Sequence, residues 1–291
     1  EAIEIGMIGV LEVALVYALL RPLEALVPVE RWADRRAVRS DVIYTWLHRV
    51  GFLPLLFFFM LLPVVTSMEA WLRSFDFIPW NLDDIVPGMT RDSFAAFLLY
   101  LVVLDFAAYW VHRLQHRFGW WWALHSLHHS QRQVTVWSDD RNHVLDDLIV
   151  NIVLALFSQF VGVQPEDYVL ILMVGRMIES WSHANVDMGF GRIGDRLLVS
   201  PRYHRLHHAL ASPEERHIHD HNFAPVFPIW DILFGTHYMP ADRKPQNFGI
   251  HEPVEHTVLG LLRHPFRPTS AGFGQGGPRP PVDDKSTSAE S

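Results

Sequence analysis

The chain of 291 residues is apolar, mildly acidic and without cysteine. Hydrophobic residues make up 49% and charged residues 19%, against roughly 25% charged residues in a soluble domain, so the composition favours membrane spans joined to a polar cap. The formal net charge of −8 argues against nucleic acid as a partner. The lack of cysteine excludes disulfide bonds, thiolate-bound metals and thiol catalysis from this chain.

Five apolar stretches follow one another along the chain, and each approaches the roughly 20 residues that a membrane-spanning helix needs. Because the first stretch lacks a basic segment and a cleavage site, we interpret it as a span rather than a signal peptide. Glu12, Asp105, Asn151 and Arg176 interrupt the stretches, so at least some of these helices should face a protein interior. A soluble protein with long buried helices is the alternative. The stretches are residues 5–20, 50–67, 94–111, 148–163 and 168–181.

The distribution of arginine predicts how these helices cross the membrane. Residues 68–93, after the second stretch, carry only Arg73 and Arg91 among five acidic residues. Residues 21–49 carry six arginines, namely Arg21, Arg31, Arg35, Arg36, Arg39 and Arg49. Since basic loops stay in the cytoplasm, residues 21–49, 112–147 and those from 183 onward are expected on the cytoplasmic side. The main histidine motifs lie in these segments.

Eighteen histidines are the strongest signal in the sequence. Eight of them form one HxxxH pair and two HxxHH triplets. Residues at i, i+3 and i+4 share one face of a helix, so each triplet is expected to present its three imidazoles together. His183 and His143 are expected near the same place. The motifs are His112/His116, His125/His128/His129 and His204/His207/His208.

Eight imidazoles exceed the ligand set of one tetrahedral zinc ion, so the motifs predict two metal ions with about four or five ligands each. Nitrogen ligands disfavour magnesium and calcium and leave iron, zinc, copper or manganese, and the spacing does not choose among these. We interpret the other histidines as ordinary surface or core residues. They are the loop cluster His217, His219 and His221, and the isolated His48, His237, His251, His256 and His264.

The histidine motifs and the residues around them resemble the fatty acid hydroxylase/sterol desaturase superfamily. The resemblance covers roughly residues 95–240, in the family's order and approximate spacing. It rests on the runs at residues 105–113, 122–130, 141–143, 181–185, 204–208, 222–223 and 230–236. Val144 and Asp146 stand where the family often has Pro and Glu, which leaves the role of Asp146 open.

The resemblance implies a helical membrane fold with two iron ions, although zinc could occupy the site in purified protein, and with O₂ as oxidant. Together with the arginine distribution, it predicts an all-α, multi-span membrane bundle with a cytoplasmic helical cap that holds a di-metal histidine cluster. His143, Asp105 and Asn185 are carried over as further ligands or as hydrogen-bond partners of ligands, and an ion pair with Arg176 is the competing interpretation for Asp105. The implied ligands are His112, His116, His125, His128, His129, His204, His207 and His208, with His183 as a ninth.

The implied function is an O₂-dependent oxidoreductase that hydroxylates or desaturates a C–H bond of a membrane lipid such as a sterol or a fatty acyl lipid. A C–H bond offers no leaving group for hydrolysis, whereas a redox metal with O₂ can break it. We recognise no electron-transfer module in the chain, so a separate donor of ferredoxin or cytochrome b5 type with its reductase is expected. Tyr109, Trp110 and residues 120–122 are candidate walls of a lipid channel or members of an interfacial aromatic belt.

Two rival functions also use histidines in a membrane protein. A metal transporter should hold its ligands near the bilayer midplane, and a membrane zinc hydrolase should carry a general-base Glu beside a histidine pair. For the domain organisation, we predict membrane spans and loops at residues 1–92, a catalytic domain at 93–267 and a disordered tail rich in Pro, Gly and Ser at 268–291.

Overall fold

The computed structural model describes residues 2–31, 35–50, 52–77, 81–210, 220–240 and 247–266. Within these residues the fold is helical, with two isolated backbone bridges (Pro28 to Val186 and Ala209 to Phe248) and no β-strand. The predicted all-α class is therefore confirmed. His217, His219 and the tail at 268–291 lie outside the described residues, so their interpretation stays a prediction.

The α-helices in the described part of the chain are named in chain order. A π-helical segment, Val16–Leu20, joins the first two, and short 3₁₀ turns occupy His128–Ser130 and His264–Phe266. The helices are α1 (Ala2–Leu15), α2 (Arg21–Leu26), α3 (Arg35–Arg49), α4 (Phe52–Arg73), α5 (Leu82–Ile85), α6 (Phe94–Arg117), α7 (Gly119–His125), α8 (Val144–Phe160), α9 (Pro165–Ser182), α10 (Gly191–Gly194), α11 (Pro201–His207), α12 (Ile229–Leu233) and α13 (Val258–Arg263).

Three helical segments are long and apolar enough to cross a membrane: Gly6–Leu26, Leu53–Arg73 and Phe94–Arg117. Little of the second segment is buried against the protein, and large side chains such as Phe59 and Leu62 are exposed on it. An exposed apolar surface of this kind is typical of lipid contact. The two later apolar stretches form α8 and α9, which are helical but do not reach the same combination of length and apolar composition. Their crossing of the membrane stays a prediction.

Local sequence signals fix where the helices that carry the site begin. The Ser93 side chain accepts a hydrogen bond from the amide of Ala96 and begins α6, and Ser200 does the same for α11 through Tyr203. Pro165 occupies the first turn of α9, where its missing N–H costs nothing. These signals set where α6, α9 and α11 begin. The histidines lie at the opposite, C-terminal ends of α6 and α9 and on α11 itself.

Helix α3 packs directly on the loop that follows the first HxxHH motif. Arg141 pairs with Asp41 on α3, and both side chains are fully buried. Burial raises the pKa of Asp41 to about 6, against the opposing effect of Arg141. Arg49 is one of the six arginines in residues 21–49, yet it is only 2% exposed. Asp139 and Asp140 both face it. The arginine-rich segment and the histidine-bearing loops are therefore in contact.

Candidate metal centre

Nine histidine side chains lie in two adjacent groups. Within each group, one nitrogen atom of every ring lies within 4.8 Å of those of the others. The five-histidine group consists of His112, His116, His125, His129 and His207, and the four-histidine group of His128, His183, His204 and His208. All nine histidines predicted as ligands are thus brought together, and ligation itself stays a prediction.

The helix ends deliver these side chains from four places. His112 and His116 lie in the last turns of α6, His125 ends α7, His183 follows α9, and the second triplet lies on and just after α11. The three rings of each HxxHH lie together, as predicted, but each triplet divides between the two groups. In the first triplet, α7 ends at His125 and the chain turns before His128 and His129. Each triplet therefore links the two groups.

The four-histidine group has the geometry of a metal cage. The Nε2 atom of His183 lies 3.2 Å from that of His128, 3.1 Å from that of His208 and 3.1 Å from that of His204. Its Nδ1–H donates to the carbonyl of Glu179 at 2.8 Å, so its Nε2 carries a lone pair. Nitrogens bound to one ion at about 2.0–2.1 Å lie about 3 Å apart. The group therefore fits a transition-metal ion.

The five-histidine group is oriented by hydrogen bonds on its outer side. The Nδ1–H groups of His112 and His207 donate to the carbonyls of Phe223 and His221, each at 2.7 Å. His125 Nδ1 lies 3.1 Å from Asp146 Oδ2. The Nε2 atoms of His112 and His125 are buried and have no hydrogen-bond partner among the described residues. Outer contacts of this kind fix the tautomer and aim a lone pair inward, as in other histidine metal sites.

Burial keeps the imidazoles neutral. Desolvation, reinforced by neighbouring histidines, lowers the pKa of His128, His129, His204 and His208 well below 6.5. It also lowers the pKa of His183, although the carboxylate of Asp139 opposes this shift. Neutral imidazole is the form that binds first-row transition metals. The donor set therefore suits iron, zinc, copper or manganese.

Asp146 and Asp231 are functional residues whose roles the sequence did not reveal. Asp146 accepts hydrogen bonds from Gln115 and Trp121 as well as from His125, so it holds the first triplet against α6. The signal for Asp146 was its place in the family pattern, where its role was left open.

Asp231 organises the segment at residues 221–224, which supplies the two carbonyl acceptors. Its carboxylate accepts from the amides of Phe223 and Ala224 at 2.8 Å each, and from the hydroxyl of Tyr203 at 2.9 Å. Asn222 has a left-handed φ of 61°, and its side-chain amide donates to the carbonyls of Tyr203 and Tyr238. We call residues 221–224 the carbonyl strap. The strap and α11 are thus fastened together.

Asp105 does not make the expected contacts. Its carboxylate accepts from the amides of Val226 and Phe227 at 2.9 and 3.0 Å, and from Trp230 Nε1 at 2.9 Å. Neither an imidazole nor Arg176 is among these partners, and Arg176 approaches Glu12 instead. The reason is that three N–H donors, which follow the carbonyl strap in the chain, face α6 at the position of Asp105. Asp105 therefore anchors the chain that follows the strap.

His143 and Asn185 are also placed outside the two groups. His143 Nδ1 accepts from the amide of Leu145 and caps α8, while its Nε2 donates to the carbonyl of Leu262. Both ring nitrogens are thus engaged, which leaves no lone pair for a metal. The Asn185 amide group bonds the backbone of Glu30. Among the other histidines, His48 pairs with Asp147 at 2.6 Å, in keeping with its ordinary interpretation.

A cavity of about 240 Å³ opens beside the histidines and runs between α6, α8 and α9. Its wall includes His112, His125, His128, His183 and His204 from both groups. The aromatic residues predicted as channel walls, Tyr109, Trp110 and residues 120–122, are not among its lining residues. They pack elsewhere, since Tyr109 lies with Phe223 in the core and Trp121 bonds Asp146.

Comparisons with known proteins agree with the site. The sequence model of the family described as Fatty acid hydroxylase matches residues 97–236. The chain is 31% identical over 169 residues to ornithine lipid hydroxylase OlsE of Rhizobium tropici, covering 58% of this chain and 50% of the relative. It is 31% identical over 154 residues to alkylglycerol monooxygenase of Homo sapiens (52% and 32%). It is 26% identical over 157 residues to Delta(7)-sterol 5(6)-desaturase ERG3B of Gibberella zeae (54% and 45%).

The aligned part of the chain covers half the length, or less, of these relatives. No solved structure matches the chain. The three relatives are named for hydroxylation, monooxygenation or desaturation of lipids. The resemblance predicted from the histidine motifs is confirmed, since the family model described as Fatty acid hydroxylase matches residues 97–236.

Proposed function

We propose that this chain is a membrane-bound di-iron oxygenase that hydroxylates, or desaturates, a C–H bond of a lipid. The observation that carries the proposal is the pair of buried histidine groups at one end of a cavity whose other end lies between apolar helices. The named activities of the relatives support the reaction class.

Iron is the metal that suits both the ligands and the reaction. When bound, a pair of iron ions supplies the redox chemistry that activates O₂, which a C–H bond without a leaving group requires. Hydroxylation is balanced as R–H plus O₂, two electrons and two protons, giving R–OH and water. Desaturation uses the same electrons and protons, removes two hydrogens from adjacent carbons and gives two waters.

The chain's own residues orient the ligands and exclude water. The strap carbonyls and Asp146 hold three imidazoles in one tautomer each. Side chains such as His129 and His207 are fully buried, so stray reduction of O₂ by solvent-borne species is limited. The cavity gives a lipid access to the histidines from the side of the apolar helices.

The proposal includes a cytoplasmic location for the metal site, within a multi-span bundle. It is supported by the excess of arginine in residues 21–49 and by the buried contacts of α3 with residues 139–141. Electrons would come from a separate ferredoxin-like or cytochrome b5-like donor. The division into regions 1–92, 93–267 and 268–291 is part of the same proposal.

Metal analysis combined with lipidomics tests this function. Protein purified from iron-supplemented cells should contain iron, and cells expressing the gene should accumulate a lipid carrying one oxygen atom from isotopically labelled O₂, or one new double bond. A zinc-only protein that remains inactive after iron reconstitution, with unchanged cellular lipids, would refute the proposal.

A further inference from the structure

The cavity beside the histidines is a channel rather than a round pocket. On α9 its lining residues recur at helical spacing from Tyr168 to Ser182, which is about 21 Å at 1.5 Å per residue. On α6 they run from Leu101 to Gln115, also about 21 Å. A volume of about 240 Å³ spread over that length is narrow. This shape favours a single alkyl chain over a fused ring system.

The channel wall changes from apolar to polar along its length. Far from the histidines it is lined mainly by Leu101 and Leu104 of α6, Leu154 of α8, and Ile171 and Leu172 of α9, with Tyr168 at its end. Near the histidines, the same helices present polar groups, and residues from α3 and the loop before α8 add further ones. The apolar part therefore suits a hydrocarbon tail, and the polar part suits a head group.

Two polar groups in the inner part are not used by the protein. Arg49 donates to Asp140, Asp139 and Ser180 through Nε and Nη2, but its buried Nη1 has no hydrogen-bond partner among the described residues. Glu179 lines the channel one turn before His183. Its carboxylate makes no hydrogen bond within the described part of the chain, although the guanidinium groups of Arg176 and Arg49 act on it through space. An unused donor and an unused acceptor thus lie close to the metal groups.

The charges around these two groups select the kind of head group. Four aspartates of the channel wall, Asp139, Asp140, Asp146 and Asp147, outnumber its two guanidinium groups, those of Arg49 and Arg176, and like charges in a weakly screened interior repel strongly. A carboxylate or phosphate would therefore be disfavoured. A hydroxyl or an amide can accept from Arg49 and donate to Glu179 at the same time.

We infer that the substrate is a single-chain alkyl or acyl lipid with a hydroxyl or amide group, bound with that group beside Arg49 and Glu179 and with its chain toward Leu101 and Leu172. This inference rests on the proposed function and adds the substrate class and its orientation. The oxidised carbon then lies close to the polar group. Arg49 lies outside the family match at 97–236, so the subsite depends on the chain's N-terminal region.

Binding to the full-length, iron-loaded protein tests the head-group selectivity without requiring turnover. A long-chain alkylglycerol should bind at least about tenfold more tightly than a fatty acid of equal chain length, a difference of about 1.4 kcal/mol. Glu179→Gln leaves the Arg49 ion pairs intact and should reduce that ratio several-fold. Glu166→Gln, the same change at an exposed position of α9 outside the channel, should leave it unchanged. Equal binding of the two lipids by the wild type, or equal effects of the two substitutions, would overturn the inference.

Photo-crosslinking tests the orientation. An alkylglycerol with a diazirine at the methyl end should label peptides that contain Leu101–Leu104 or Tyr168–Leu172, and one with a diazirine near the glycerol should label residues around Glu179. The reverse pattern would contradict the inference. Because both measurements report binding, a protein that binds as described but oxidises no lipid would refute the proposed function alone.

Discussion

The two histidine groups differ in what holds their imidazoles from outside. In the five-histidine group, His112, His125 and His207 have fixed outer acceptors: a strap carbonyl, a carboxylate and a second strap carbonyl. In the four-histidine group His183 has such an acceptor. The Nδ1 atoms of His128 and His204 are buried without a hydrogen-bond partner in the described residues.

This difference indicates which imidazoles are oriented by contacts with the protein and which would be oriented by a bound ion. A proton on Nδ1 of His128 or His204 would be buried and unsatisfied, which is costly. A proton on Nε2 would point into the group and occupy the place of a metal. His112, His125 and His207 are therefore oriented before metal arrives, whereas His128 and His204 depend on a bound ion to settle their tautomers.

Removing one ligand from each group gives the largest effect. His128→Ala and His207→Ala should each abolish turnover and reduce the iron content from about two ions to about one per chain, because each leaves a group below its ligand number. Iron content and product formation are measured on membrane-inserted protein. The exposed His251→Ala should keep both ions and activity, and turnover retained in either ligand variant would refute the ligand assignment.

Disrupting the carbonyl strap tests whether the outer contacts act on one group only. Asp231→Asn removes the charge that holds the amides of Phe223 and Ala224, so metal affinity of the five-histidine group should fall about 10–100-fold. The four-histidine group should lose less affinity, since Asp231 reaches it only through Tyr203 of α11. Metal titration resolves the two sites, with the exposed Asp92→Asn as the control. Equal weakening of both sites would remove the distinction between the groups.

Lowering the pH should destabilise the metal-free protein through the four-histidine group. The pKa values of His128, His183, His204 and His208 are lowered by burial from 6.5, so below this value the unfolded chain binds more protons than the folded one. Stability therefore falls as the pH falls, by up to about 1.4 kcal/mol per pH unit for each group. Burial raises the pKa of Asp41, to about 6, and the pKa values of Asp139 and Asp231, and these carboxyls act in the opposite direction.

The melting temperature of the metal-free protein, followed from about pH 7.5 to about pH 6 where the histidine effect dominates, measures this loss. The metal-loaded protein is the control, because bound ions hold the imidazoles neutral and should flatten the dependence. A metal-free protein that gains stability over this range would contradict the assignment of neutral, buried imidazoles.

The smallest effect is expected at His143, which lies outside both groups. His143→Ala removes the cap of α8 and should cost about 1 kcal/mol of unfolding free energy, with both ions retained. Thermal unfolding and metal content are compared with the wild type. Loss of a metal ion from this variant would return His143 to the ligand set.

The sequence sufficed to predict which histidines meet, but not how they divide. HxxxH and HxxHH spacing is a local signal, so the gathering of His112 with His207 followed from helix periodicity and the family pattern. The division of each triplet depends on where α7 ends and on how α11 is rotated, and tertiary packing decides both. The helical fold was likewise predictable from the apolar stretches.

Backbone acceptors and buried ion pairs were beyond the reach of sequence patterns. Every residue has a backbone carbonyl, so the acceptors at His221 and Phe223 cannot be recognised from residue type. Asp231 positions these carbonyls, and its role is hidden for the same reason. In the sequence, Arg49 is one of several loop cations. Only the structure places Asp139 and Asp140, which are distant along the chain, beside it. For the same reason Asp105 was assigned to an imidazole, although its partners lie in a segment more than 100 residues away.

Crystallographic anomalous scattering at the iron absorption edge tests the existence of two neighbouring ions most directly. The account predicts two iron peaks per chain, one enclosed by His128, His183, His204 and His208 and the other by the remaining five histidines. Protein loaded with excess iron that shows no peak within either set of rings would contradict it.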